Sequence, residues 1–208
     1  MEEIIIKRRP KPAQAKTFEM LTVFVVAKSD SMQQQYVPDI TKNEMVEQAI
    51  DTMFERLKYN SNFKSFLFAR VDFGCNVEVA FWPTFLTDIV AHNKYPTRIQ
   101  DGASVADALE TAYHIAAAFC KQSDSGVGVH RISRIVLLTD GQDDDKDKTM
   151  KITKEWEEER GCSLWIYYLP SEANPKEAKE GYEYCKSLGQ TEMLFDKSEQ
   201  LIHLCLFS

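Results

Sequence analysis

Ser29 and Ser31 stand two residues apart just after an apolar run, and Asp140 follows a second such run. Side chains two apart on extended chain point the same way, so the two hydroxyls can face one partner. Two hydroxyls and a carboxylate are hard oxygen donors, the set that suits magnesium, manganese or calcium. Serine and aspartate also cap helices and make turns after strands, so spacing alone leaves a purely local role open. Other chemistries have weaker support. No G-x-x-x-x-G-K-[ST] loop is present, and no G-x-G-x-x-G follows the first strand. A phosphoaspartyl nucleophile would be expected where Ala27 stands. The serines have no evident histidine and acid to form a triad. His92, His114, His130 and His203 are scattered, and none pairs with a cysteine at zinc-ligand spacing.

For Ser29, Ser31 and Asp140 to meet, their two apolar runs must be neighbouring strands. Met20–Val26 and Ile135–Thr139 are nearly continuous apolar segments, the pattern of parallel strands covered on both faces. Between and after them the sequence alternates helix and strand signals. Thr41 and Glu44 form a capping box ahead of a helix whose apolar face runs from Met45 to Leu57. Residues 64–73 and 77–82 read as an antiparallel hairpin closed by Gly74-Cys75-Asn76. Ser104 opens a helix rich in small residues, and residues 121–130 read as a loop. A helix from Lys148 to Arg160 is expected to end at Gly161. Leu164–Leu169 reads as a core strand, and its aromatic neighbours would mark an interface if exposed. Asn174-Pro175 starts a further helix that stops at Gly189. Glu192–Phe195 reads as a last strand and Ser198 as the cap of a C-terminal helix. The predicted fold class is α/β: a doubly wound, mostly parallel sheet with one antiparallel edge strand and helices on both faces. Residues 18–208 form the domain, behind an arm over 1–17 that carries a short edge strand at 3–7 and a linker at 10–17. In such a sheet ligands bind beyond the carboxyl ends of the strands where strand order reverses. That places the chemistry in segments 27–32 and 140–145, with 33–40, 98–104 and 142–148 as rim.

Composition narrows the partners. A length of 208 residues suffices for one domain with a sizeable core, and a net charge of −7 disfavours a nucleic-acid backbone. Lys7-Arg8-Arg9, beside Pro10 and Pro12, reads as a solvated arm. Asp143-Asp144-Asp145 with Asp147 reads as a solvated loop, with a second metal as the alternative. Five cysteines, Cys75, Cys120, Cys162, Cys185 and Cys205, show no C-x-x-C pair and read as reduced, packed thiols. No segment reads as a secretory signal, and no apolar run is long enough to span a bilayer, so no membrane is expected. Together these features predict a cytoplasmic protein with a protein partner.

The ordered segments resemble the von Willebrand factor A (vWA) family. Val23-Phe-Val-Val-Ala-Lys-Ser-Asp-Ser-Met32 is similar to the family's D-x-S-x-S loop after an apolar strand, and Val71-Asp-Phe-Gly74 to its hairpin. Asp101-Gly-Ala-Ser-Val-Ala-Asp-Ala-Leu109 resembles its G-G-T-x-x-x-x-A-L segment, and Ile135-Val-Leu-Leu-Thr-Asp-Gly141 its strand ending in T-D-G. The resemblance covers residues 18–206 and implies a protein-binding module with a metal-ion-dependent adhesion site, of a kind often found in bacterial cytosol. In such a site an ion, usually magnesium, is completed by an acidic side chain of the partner protein. Ser29, Ser31 and Asp140 match the family's ligands, whereas Ala27 stands for its first aspartate and Ala103 for its threonine. With one aligned carboxylate left, magnesium binding is expected to be weak or absent. Natural loss and deliberate substitution both account for the two alanines. The rival readings are a metal-dependent hydrolase or phosphotransfer enzyme of Rossmann-like architecture, and a structural subunit of a larger assembly.

Overall fold

Strand β1, Thr17–Ala27, is the axis of the molecule: from Leu21 to Ala27 every side chain is buried. The computed structural model describes residues 17–89, 99–121, 129–160, 164–170 and 174–194. β1 pairs in parallel with β4 (Phe66–Phe73) on one side and β6 (Val129–Thr139) on the other. β5 (Val77–Phe85) pairs antiparallel with β4, while β7 (Leu164–Tyr168) and β8 (Gln190–Met193) continue the parallel side. The six-stranded order is β5-β4-β1-β6-β7-β8, with β5 as the single antiparallel edge strand. A two-stranded ribbon, β2 (Gln35–Val37) with β3 (Ile40–Thr41), lies apart from this sheet.

The helices cover the sheet by parity. Even-numbered residues of β1 and β4 meet α1 (Lys42–Leu57): Phe24 stacks on Phe68 at 5.9 Å, and Phe54 packs edge-on to both. Odd-numbered residues face α2 (Val105–Lys121), whose Cys120 thiol lies 3.2 Å from the Ser133 hydroxyl of β6. The buried alanines 108, 112 and 116 let α2 approach closely. α3 (Lys146–Arg160) stacks on α2 through Trp156 and Tyr113, ring centroids 4.7 Å apart. α4 (Pro175–Leu188) meets β7, where the Tyr168 hydroxyl donates to the Ala178 carbonyl at 2.8 Å.

The capping box at Thr41 and Glu44 is present in full, and Asn174 caps α4 by accepting from the Lys176 and Glu177 amides. Several boundaries differ from expectation. β6 begins at Val129, not at Ile135, because β1 offers partners as far back as Thr17. The predicted loop over 121–130 therefore loses Lys121 to α2 and Val129-His130 to β6. Thr17 likewise belongs to β1 and not to the arm. β8 lies two residues earlier than the predicted Glu192–Phe195, its register fixed by pairing of Gln190 with Trp165. The polar loop after β1 holds a 3-10 turn (Asp30–Gln33) and the β2–β3 ribbon, in which Tyr36 is buried and donates to the Leu194 carbonyl. The strand at 3–7, the linker at 10–16, the Gly161 cap, most of the 121–130 loop and the Ser198-capped helix lie outside the described residues.

Candidate functional site

β1 and β6 are neighbours at the point where the chain switches from building one side of the sheet to the other. Val26 pairs with Leu138, so Ser29 and Asp140 leave adjacent strands three and two residues further on, at the same edge. Lys28 carries the backbone past the sheet by donating to the Phe73 carbonyl at 2.6 Å. Ser29 and Ser31 are buried, and their hydroxyls bond one another at 2.9 Å. Segment 100–104 closes the rim. Ser29 bridges to Gln100, and Asp144 both donates its amide to the Ala103 carbonyl at 3.0 Å and accepts the Ala103 amide at 2.7 Å. Gly102 permits this with φ of 72°; a Cβ there would meet the Asp144 carboxylate at 2.8 Å. Asp101 hydrogen-bonds Asp30 and holds that carboxyl above the usual carboxylate pKa.

The partner of Asp140 is a cation supplied by the chain. Lys42 sends its ammonium to Asp140 Oδ2 at 3.1 Å, and the two side chains are only 1% and 3% exposed. Its backbone amide donates to the Gln34 carbonyl at 3.1 Å, which ties α1 to the loop carrying both serines. Lys42 is the first residue of α1, where the helix dipole disfavours positive charge. An ammonium buried there needs a carboxylate, and Asp140 is that carboxylate.

A second charge assembly lies beside the first. Lys28 donates to Asn43 Oδ1 and Glu47 Oε1, each at 2.6 Å. Arg70 clamps both Glu47 oxygens at 2.8 and 2.6 Å and bonds Asp72 at 2.6 Å. Burial alone would raise the Glu47 carboxyl, but the bonds and charges of Arg70 and Lys28 outweigh it and hold Glu47 at about 2. Burial, then the Arg70 charge, pulls Lys28 below the usual lysine range.

The donor set does not fit a divalent ion. The one aligned carboxylate already carries an ammonium, the serine hydroxyls satisfy each other, and Ala27 and Ala103 offer no side-chain oxygen. Among the described residues no buried side-chain nitrogen or oxygen lacks a partner, so no orphaned donor marks a cradle for an ion. Ser29, Ser31 and Asp140 thus share one rim, with Asp140 turned to Lys42.

Lys42 and Asp140 lie at the inner end of a cleft of ≈ 410 Å³ that opens between the 140–146 segment and α4. Asp143 accepts a short hydrogen bond from Tyr184, and the Lys146 ammonium lies 4.8 Å over the Tyr184 ring. Gly141, with φ of 83°, abuts Gly181 of α4, which keeps the wall close. Burial, then the Asp140 charge, pushes the Cys185 thiol up to about 12, which leaves it unreactive. Cys75 is exposed, not packed as expected, because it sits at the hairpin turn. His114 is exposed on α2, and His130 lies against Phe18 at the opposite end of β6, so neither approaches the serines. Lys42 and Lys28 were not legible as site residues. The available signals were a lysine at a helix's first position and a lysine at the end of an apolar strand.

No protein-family model matches the sequence, and no curated protein matches it either. Solved structures do match in shape. The PilB minor pilin from Streptococcus sanguinis superposes with a TM-score of 0.62 at 10% identity, covering 94% of this chain and 61% of the pilin. The chain therefore spans about three fifths of that protein. The SpRpn10 VWA domain gives a TM-score of 0.59 at 14% identity, covering 88% of this chain and 92% of that one. BatB from Bacteroides thetaiotaomicron gives 0.54 at 14% identity over 89% and 95%. Six strands in this order, one antiparallel edge and helices on both faces make the fold of this chain von Willebrand factor A-like.

Proposed function

We propose that the chain is a protein-interaction module that binds its partner at the carboxyl rim of the sheet without a metal ion. The observation that carries this reading is the cleft beside the β1–β6 switch, with a buried Lys42–Asp140 pair where a cation-dependent contact would otherwise form. Clefts at such switch points are the usual binding places of open α/β sheets. The lining sets the partner's chemistry. Asp140, Asp143, Asp144, Glu177 and Glu180 outnumber Lys42 and Lys146, so a basic or neutral segment suits the cleft better than the acidic side chain an ion would capture.

The test is a capture experiment with matched variants. Charge reversal at Asp143 and Glu177 should abolish retention of a specific partner, whereas reversal at Lys151 and Glu155, which are exposed on α3, should not. Retention should be indifferent to a chelator. A partner lost with chelator, or kept by the rim variant, would contradict the proposal.

A further inference from the structure

We infer that the Lys42 ammonium is the resident cation of this rim, and that by holding Asp140 it bars a divalent ion even from a site with its missing ligands restored. The inference concerns the rim proposed above but needs no partner, so a failed search for a binding protein and a failed ion titration are separate results.

Three observations converge on it. The Lys42 and Asp140 side chains are almost wholly buried, so either charge left without the other would be poorly hydrated. The lysine backbone is fixed as well. Thr41 caps α1 with Glu44, and the Lys42 amide bonds Gln34, so the stem leaves a rigid point. The serines that would complete an ion's shell are bonded to each other. An incoming ion must separate the serine hydroxyls and expel the ammonium from Asp140, and the carboxylates of the neighbouring charge group, Glu47 and Asp72, are already engaged with Lys28 and Arg70. The cost of stranding that ammonium opposes ion entry, whatever ligands stand at positions 27 and 103.

The experiment is a manganese titration by calorimetry and thermal melting on the purified full chain, using wild type, A27D/A103T and A27D/A103T/K42M. Wild type and A27D/A103T should show no saturable heat and no change in Tm. The triple variant should bind one ion, with Tm raised by roughly 5 °C at saturating manganese, and adding D140N should abolish the effect. Tight binding by wild type, equal binding by A27D/A103T and the triple variant, or no binding by a folded triple variant would each overturn the inference. A second comparison covers a triple variant too unstable to titrate. D140N strands the ammonium and should lower Tm by roughly 10 °C, and K42M/D140N, with neither charge, should recover most of it. A double variant no more stable than D140N would also overturn the inference.

Discussion

Two charge assemblies, one partly and one almost wholly buried, lie within a few residues of each other at the end of β1, and they are built differently. The Lys28–Glu47–Arg70–Asp72 group has two cations and two carboxylates, joined by a bidentate arginine fork and short lysine bonds. It ties β1, β4 and α1 together, and each member has more than one partner or a charge-matched neighbour. The Lys42–Asp140 pair has one bond of 3.1 Å and a long contact of 3.4 Å from Lys42 to Gln34. The contrast teaches that burial does not assign a role by itself. A multiply connected group cannot open in part without stranding a charge, so it acts as a structural tie. A single pair at the floor of a cleft has few connections, and its significance lies in what it keeps out.

Breaking each assembly at its carboxylate should separate them in stability. Glu47→Ala leaves Lys28 without its main counter-charge and removes both bonds of the Arg70 fork, and should cost about 4–5 kcal/mol in urea unfolding. Asp140→Ala strands one ammonium and should cost about 3–4 kcal/mol. Equal losses, or a larger loss at Asp140, would erase the proposed distinction. Acid should report on the four-membered group. The folded-state value of Glu47 lies below its ordinary 4.5, so its stabilisation is complete above about pH 4.5 and disappears as pH falls toward about 2. The loss should reach up to about 3 kcal/mol. Glu47→Gln should flatten this part of the pH–stability curve measured by urea midpoints, and an unchanged slope would place the acid-sensitive carboxylate elsewhere.

What the sequence conveyed about the fold was the part set by local pattern. Met20–Val26 and Ile135–Thr139 were nearly continuous apolar runs, so a two-sided core strand was the economical reading, and the hairpin turned on Gly74-Cys75-Asn76. Thr41 with Glu44 and Asn174 with Pro175 located two helix starts to the residue. Strand ends were poorly legible. The first six residues of β6 are polar or half-buried, and they are strand because β1 pairs with them, a nonlocal cause. The site divided in the same way. The positions of Ser29, Ser31 and Asp140 at one rim follow from strand order, which the apolar runs announced. The Lys42–Asp140 pair spans 98 residues and depends on where α1 begins, so no spacing rule could show it. Most lysines are solvated, so the residue type at position 42 carried no sign of the pair.

Smaller perturbations sharpen the comparison by acting on the backbone around the single pair. Gly102→Ala adds a Cβ at positive φ, 2.8 Å from the carboxylate that holds the Ala103 amide. It should cost about 1–2 kcal/mol and raise amide exchange in segment 100–104. An unchanged exchange pattern would show that this segment is not held through Asp144.

Thr41→Ala is the mildest change and the most informative about Lys42. It removes the hydroxyl that accepts the Glu44 amide at 3.2 Å, while leaving every member of both charge assemblies in place. Loss of such a cap costs about 1 kcal/mol, mostly by fraying the first helical turn. That turn contains Lys42 and Asn43, whereas Glu47 lies beyond it and is held by Arg70. Fraying should therefore loosen the Lys42–Asp140 pair and, apart from the Lys28–Asn43 bond, spare the four-membered group. Hydrogen exchange should rise at residues 42–45 and stay unchanged at 47–50. If instead the whole of α1 exchanged faster, the two assemblies would be one cooperative unit, and Lys42 would owe its position to the helix as a whole.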